Sequence, residues 1–363
     1  MKVLTTICRC LVGLLFIFSG LIKANDPLGL SFKMQEFFEK WGMEFFNNYS
    51  YSFAFAINIV EVLAGVAIII AWRPKFFTWL LLLLILFFTF LTSYVLFSGK
   101  IHACGCFGDC LPLTPIQTFT KDIILLVLVL IILLNVKKIQ PLLSSKISIG
   151  ILAFTLIATA SIEFYVSKHL PFRDCLPYKK GNNILEQMKP PVGSVSDSIL
   201  ITTKYKKAGK EIEIIGDNFP NDFDSTYEFI EGSQVQKIIR KGNNTPKIAN
   251  FALTTFNNND STQAILGQDK KYVLIFVKEF KASKELSKQI NLPALQDMQK
   301  KGLPVFIVTS DVEGAANIFI KDVTFFKCDV TEIKTAARVN PTYFLMQGAT
   351  IINKVAAVDA SSL

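Results

Sequence analysis

Charge is what the first 166 residues of this 363-residue chain have least of: they hold 20 of its 67 charged side chains, 12 basic and 8 acidic. That scarcity excludes an ordinary soluble domain there, and a chain that is 51% apolar with 32 phenylalanines is not a disordered one. Residues 167–363 carry the other 47 charges, 26 basic and 21 acidic, and have the balance of a soluble domain. Also missing is any basic stripe or RNA-type motif, so a pI of about 9.1 does not point to nucleic acid. At about 150 residues per domain, the length suggests two or three domains. Together with a mean hydropathy of +0.41, these features describe a membrane protein with a soluble C-terminal half.

Five stretches are long enough to cross a hydrocarbon core, which takes roughly 17–25 apolar residues. They run Ile7–Ile22, Phe53–Trp72, Phe76–Phe97, Ile116–Val136 and Ile147–Val166. The first is followed by Ile22-Lys23-Ala24-Asn25-Asp26, a poor small-residue cleavage site, and reads as a retained helix. With the N-terminus inside, the cytoplasmic segments contain Lys2, Arg9, Arg73, Lys75, Lys137, Lys138 and Lys146, and no acid. The opposite loops carry Lys23, Lys33, Lys40, Lys100 and Lys121 against Asp26, Glu36, Glu39, Glu44, Asp109 and Asp122. That is a positive-inside pattern, which puts the N-terminus in the cytoplasm and the C-terminal half outside it. In residues 25–51, Phe32, Phe37, Phe38 and Trp41 alternate with charges, as in an amphipathic helix that lies at the interface or caps the bundle.

Seven cysteines remain to be placed. Cys8 and Cys10 fall at the cytoplasmic end of the first span and read as packing residues. On the other side lie Cys104, Cys106 and Cys110, in Cys104-Gly105-Cys106-Phe107-Gly108-Asp109-Cys110, and Cys175 just past the fifth span. Four thiols in an oxidising compartment imply disulfides, in one of three full pairings that sequence cannot choose between. Three uses compete. A bridge such as Cys110–Cys175 would staple the bundle to the root of the soluble domain. A Cys-x-Cys bridge closes a very small ring and suits a redox-active pair. His102 with Cys104, Cys106 and Cys110 offers four metal ligands, in too tight a span for the usual tetrahedral spacing.

Glu61 is the candidate intramembrane acid, near the middle of the second span and functional by default because its burial in lipid is costly. It would either accept protons or hydrogen-bond a neighbouring helix, and Glu61→Gln is expected to leave the fold intact in both cases.

In the soluble half, Ile199–Tyr205 and Glu211–Ile215 read as strands around Lys207-Ala208-Gly209-Lys210. From Pro246 the expected order is strand (Ile248–Thr254), strand (Tyr272–Val277), helix (Ser283–Lys301), strand (Leu303–Thr309), helix (Val312–Ile320), strand (Phe325–Asp329), helix (Thr331–Arg338), and a hairpin of Thr342–Leu345 with Thr350–Val355. This order, with Asn340-Pro341-Thr342 at the family's cis-proline position, resembles the thioredoxin fold over residues 246–358. Where that family carries Cys-x-x-Cys, this chain has Phe280-Lys281-Ala282-Ser283-Lys284. Dithiol exchange in the usual way is thereby excluded, and the resemblance implies a binding or docking domain. Cys328, in an apolar strand, reads as an inert core thiol.

The membrane half, with Phe18-Ser19-Gly20-Leu21-Ile22-Lys23, Glu61-Val62-Leu63-Ala64-Gly65 and the cysteine motif, resembles the MauE/DoxX family of redox-associated bacterial inner-membrane proteins over residues 1–140. The resemblance implies a four-helix bundle linked to disulfide formation in exported client proteins, with electrons passed to a quinone. The fold class expected is an all-α transmembrane bundle, a four-helix MauE/DoxX-like core plus a fifth tethering helix, followed by an exoplasmic α/β thioredoxin-like domain. Its parts are 1–140, the membrane core; 141–170, the fifth helix; 171–245, an exoplasmic β-rich linker; and 246–363, the thioredoxin-like domain. The expected partners are membrane lipid and either exported clients or a membrane complex. The function reads as thiol–disulfide exchange at the inner membrane, with the C-terminal domain periplasmic. The alternative is a non-catalytic subunit or assembly factor with structural disulfides.

Overall fold

A computed structural model describes residues 2–101, 104–240, 242–280, 290–316 and 318–363. Five of its helices are long and apolar enough to cross a membrane: α1 (Lys2–Asn25), α3 (Ser50–Ile69), α4 (Pro74–Ser98), α5 (Pro115–Leu134) and α6 (Ser145–Lys168). Between the first two lies α2 (Pro27–Lys40), the amphipathic helix, with Pro27 in its first turn and its cap at Asp26, whose side chain accepts from Gly29 N at 2.9 Å. Val12, Phe16, Ile68, Leu81, Ile85, Val129 and Ile132 fill the core between α1, α3, α4 and α5. Helix α6 sits at the edge: 17% of its apolar window is buried, against 50% for the span containing α3.

Small residues bring α1 and α3 into close contact. A Cβ added to Gly13 would come within 2.7 Å of the Gly65 carbonyl oxygen, and one added to Gly65 within 2.7 Å of the Gly13 oxygen. Only hydrogen on both allows α1 and α3 to approach so closely, and in lipid such contact replaces the missing hydrophobic drive. Arg9, inside α1 and 5% exposed, donates to the last carbonyls of α3, Ile68 O at 3.0 Å and Ile69 O at 2.7 Å. Both carbonyls lie in the last turn, where the helix has no donor four residues on to offer them.

Two compact units divide the chain, one of Met1–Asn182 with Ala252–Leu363, the other Asn183–Phe251. The second unit is built on β1 (Ser198–Lys207), which pairs antiparallel with β2 (Lys210–Ile215), β3 (Glu228–Phe229) and β4 (Val235–Arg240). Its tight hairpin turns at Ala208 (φ 48°) and Gly209 (φ 80°), the left-handed pair that a two-residue turn requires.

In the first unit, β5 (Lys271–Val277), β6 (Val305–Thr309), β7 (Val323–Lys327), β8 (Thr342–Gln347) and β9 (Thr350–Ala356) form one sheet in the order β7-β6-β5-β8-β9. The β5–β6 and β6–β7 pairs are parallel, while β5–β8 and β8–β9 are antiparallel. Strand β5 is central and buried on both faces, hence its unbroken run Tyr-Val-Leu-Ile-Phe-Val. The structure is thus a transmembrane helix bundle with an α/β domain. Two expected elements change. Ile248–Thr254 is not a strand: Thr254 makes only isolated bridges to Asp260 and Lys327, because the chain folds back and Ser261 N bonds Leu253 O at 2.8 Å. The helix expected over Val312–Ile320 spans Val312–Ala316. Of the helix expected over Ser283–Lys301, Leu292–Lys300 is helical and residues 283–289 lie outside the described ones.

Gly65→Leu is expected to force the two backbones apart and cost about 1–3 kcal/mol as overpacking. Thermal unfolding in detergent checks it, with Gly150→Leu, which meets nothing within 4 Å, as the unaffected control.

Candidate functional site: a bridged cysteine loop above a buried ionic cluster

The cysteine loop has sharp ends. Helix α4 stops at Ser98 because Gly99 takes φ 64°. Helix α5 starts at Pro115 under a capping box: Gln117 N donates to Thr114 Oγ1 at 3.3 Å and Thr114 N to Gln117 Oε1 at 3.0 Å. Between them two disulfides form, Cys104–Cys106 and Cys110–Cys175. Cys104 is 9% and Cys106 8% exposed. Ser19, from α1, donates to Cys106 O at 3.0 Å, and Phe107 packs edge-on to Phe18 with the Lys121 ammonium 4.7 Å from its ring. The four sulfurs are bonded in two pairs, so none is free as a thiolate ligand, and His102 lies outside the described residues.

Beneath the loop lies a group of charges inside the bundle. Glu61 is wholly buried in α3 and forms an ion pair with Lys23 of α1, which is 2% exposed. One turn away on α3, Asn58 Nδ2 donates to Glu163 Oε1 of α6 at 2.7 Å, and both residues are fully buried. On the other side, Asp122 of α5 accepts from Thr92 of α4 at 3.0 Å and pairs with Lys121 at 2.5 Å. The sequence reading therefore needs correction. Lys23, Lys121 and Asp122 belong to helices, not to exoplasmic loops, because each charge has a partner within the bundle and the helix continues through it. Glu61 is also not alone. Glu163 could have been found by the same test, an acid inside an apolar span, whereas Asp122 sits two turns into α5, where charge alone suggested a loop.

A third group ties the α/β domain to the bundle. Arg338, 6% exposed, donates from Nε to Asp26 at 2.8 Å and from Nη2 to Asp109 at 2.5 Å. Burial works against its charge, but Asp26 and Asp109 outweigh burial and hold its pKa above the usual arginine range. Its neighbour Lys278 donates to Arg338 O at 2.8 Å, and burial, with Arg338 adding to the effect, pulls its pKa down to about 7. Nearby, Lys354 of β9 pairs with Asp174 at 2.8 Å, and Tyr178 donates to Glu332 at 2.5 Å. The Asn340–Pro341 bond is cis. Phe280 is buried, while Lys281, Ala282, Ser283 and Lys284 lie outside the described residues. Burial raises the Cys328 thiol to about 12, which leaves it inert at neutral pH. Arg338 gives no sequence signal, because its partners are 312 and 229 residues away.

The spans and the bridged loop define a class, a multi-span membrane protein with a disulfide-bearing loop at one end of its bundle. Residues 1–135 match the family model described as methylamine utilisation protein MauE. The membrane half of the chain is thus similar to that family. The chain is also similar to Protein TlpB of Flavobacterium psychrophilum, with 25% identity over 235 residues, 60% of this chain and 62% of that protein. It thus spans about 62% of the length of the curated relative it matches. No solved structure matches it.

The Lys23–Glu61 pair reverses one expectation from sequence. Glu61→Gln leaves a buried lysine uncompensated and is expected to cost about 3–5 kcal/mol, while Lys23→Met with Glu61→Gln restores most of it. Thermal unfolding in detergent of the single and double variants reads this directly. For Lys278, the unfolded ammonium titrates at about 10.4, so the native state binds fewer protons between about 7 and that value. Its contribution to stability therefore falls as pH drops from 10 to 7 and is flat below. The Tm gain of Lys278→Met over the native protein is expected to grow across that window and then level off.

Proposed function

We propose that this protein exchanges disulfides with exported proteins through Cys104 and Cys106, while Cys110–Cys175 holds the loop in place. The observation that carries this reading is the contrast between the two bridges. Cys110–Cys175 spans a sequence separation of 65, and on the chain-entropy account such a closure is worth about 4 kcal/mol. Cys104–Cys106 spans a separation of 2, and the same account gives it less than about 2 kcal/mol. A staple belongs at the first position. The second has little to contribute as one, which leaves chemistry as its use.

In that chemistry a client thiolate attacks Cys104 or Cys106 Sγ. The S–S bond breaks, a mixed disulfide forms, and the other sulfur leaves as a thiolate. The client's second thiolate then displaces the enzyme cysteine, so the client is oxidised and the pair reduced. A quinone held by the bundle would supply the electron acceptor, taking two electrons from the reduced pair together with two protons. An apolar groove on α3 and α6, lined by Phe55, Ile157, Phe164, Tyr165 and His169, offers room for such a ring. Ser19, with Glu61 and Lys23 behind it, connects the Cys106 end of the loop to buried acid and supports a proton role for Glu61.

The sheet order with the cis Asn340–Pro341 bond supports a thioredoxin-like domain. Without thiols in the usual place, its role is docking. The positive-inside charge pattern supports the bacterial inner membrane, with the N-terminus cytoplasmic and the α/β domain periplasmic. A second reading, a non-catalytic subunit with structural bridges, draws on the burial of Cys104 and Cys106.

Titration of membranes in graded glutathione buffers, with bridges mapped by peptide mass, separates the two. A Cys104–Cys106 couple at roughly −120 to −200 mV is expected, with Cys110–Cys175 still closed there. If both bridges resist reduction to below about −300 mV, the structural reading holds instead.

A further inference from the structure

The groove on α3 and α6 has a polar end that the thiol exchange does not use. Along α6 it is lined by Ile157, Ser161, Tyr165 and Lys168, whose spacing puts them on one face, and from α3 by Phe55. It holds about 760 Å³, within the range of sites that take small ligands. Its α6 face is turned away from the bundle, with Ile157 65% and Phe164 59% exposed. Where α6 stops, the His169 ring lies on that of Tyr165, centroids 4.2 Å apart and 10° from parallel. Tyr165 stacks in turn on Phe172 at 5.1 Å and 5°. Asp359 holds the same imidazole, its two oxygens 2.9 and 3.0 Å from Nδ1. An ionised carboxylate only accepts, so Nδ1 carries a hydrogen and Nε2 is the nitrogen left for another partner. Asp359 is fixed from the α/β domain, in the short helix Ala357–Ser362 whose Ala360 is buried in the core of the sheet. Cys175, six residues beyond His169, is bonded to Cys110, so the groove ends where the bundle carries its cysteine loop. An apolar groove facing lipid, with stacked rings and one oriented nitrogen at its end, fits a lipid-soluble planar ring that bears an oxygen. That is the chemistry of a quinone headgroup, with its tail along Ile157.

We propose that His169 and Asp359 form the polar end of a quinone site in this groove: His169 Nε2 donates to one ring oxygen, and Asp359 positions the imidazole that donates. The inference rests on the quinone reading above and names the residues that serve it. With Nδ1 turned to Asp359, Nε2 can donate only as part of an imidazolium, and the carboxylate beside it balances that charge. The reaction balances. The Cys104 and Cys106 thiols close to a disulfide and release two electrons and two protons, and the conversion of quinone to quinol consumes the same numbers. Nε2 passes its proton to the oxygen it holds and is refilled from solvent, while water at the membrane surface supplies the other proton. The neutral Nε2 left behind accepts from the O–H it has just made. Asp359 touches His169 and not the ring, so it is a positioning residue.

The test reads binding and not turnover. Full-length protein in detergent is dialysed against a ubiquinone with a ten-carbon tail, and infrared difference spectra record the carbonyl stretch of the bound ring. The native protein is expected to bind saturably, with one carbonyl band shifted down by the hydrogen bond. Ser161→Trp fills the groove from an exposed position, where folding tolerates the change, and is expected to abolish saturable binding. Leu83→Trp, exposed on α4, is the control that leaves binding at the native value. His169→Ala is expected to weaken binding about tenfold, the loss of one charge-assisted hydrogen bond, and to remove the shifted band. Asp359→Asn is expected to diminish that band and Asp359→Glu to restore it, a readout that an anchoring role alone would not move. Equal uptake by the native protein, Ser161→Trp and His169→Ala is partition into the micelle and overturns the site. A shifted band that survives in His169→Ala overturns the part given to His169. Failure here is distinct from failure of the redox reading: the dialysis reports the site, while the glutathione titration reports the bridge. A couple too stable for exchange ends the redox reading with binding intact, and a protein that binds no quinone ends the site with exchange intact.

Discussion

A lysine and a glutamate taken out of water inside a helix bundle are tolerated only together, and the contact between Lys23 and Glu61 organises what surrounds it. It forms because Gly13 and Gly65 let α1 and α3 approach to backbone distance. It also lets α1 continue as a helix to Asn25, through a charge that would otherwise end the span. Asp26 follows at once and caps α2, so its carboxylate is in place for Arg338. One turn before Lys23, Ser19 meets the carbonyl of Cys106. The positions of the cysteine loop and of Arg338 thus both trace back to one buried pair.

Much of the fold was legible because it is periodic and local. The apolar runs gave the spans to within a few residues, Lys207-Ala208-Gly209-Lys210 gave the hairpin, and the alternation of strands and helices gave the α/β sheet. The errors share a cause. Lys23, Lys121 and Asp122 looked like loop charges because a charge reads as polar until its partner is seen: Lys23 and Asp122 have theirs on other helices, and Lys121 pairs with Asp122 itself. Thr254 looked like the end of a strand because Ile248, Phe251 and Leu253 are buried. Burial there comes from a folded-back chain and not from a ladder.

The candidate site divides the same way. The cysteine motif is dense enough to be read directly, and Glu61 and Glu163 both announce themselves as acids in apolar spans. The pairing of Cys110 with Cys175 needs the fold, since it joins the loop after α4 to the segment after α6. Arg338 needs it most. Nothing in Ala336-Ala337-Arg338-Val339-Asn340 separates a buried double ion pair from a solvated arginine, and the difference lies wholly in what Asp26 and Asp109 bring to it.

An α/β domain whose one described cysteine is an inert core thiol, next to a loop with two bridges, raises the question of what the domain adds. Arg338 gives a physical answer. A guanidinium holding two carboxylates at a buried site contributes orientation and strong directional bonds, and it contributes no electrons. The turn that carries it lies just before the cis Asn340–Pro341 bond, and its partner Asp109 is the residue next to a cysteine. The domain thus binds a short segment flanking a bridged cysteine, and here that segment belongs to its own chain. Under the proposed reading, the labour is divided by chemistry: sulfur exchange stays with the membrane loop, while recognition of the polypeptide around a cysteine stays with the domain above it.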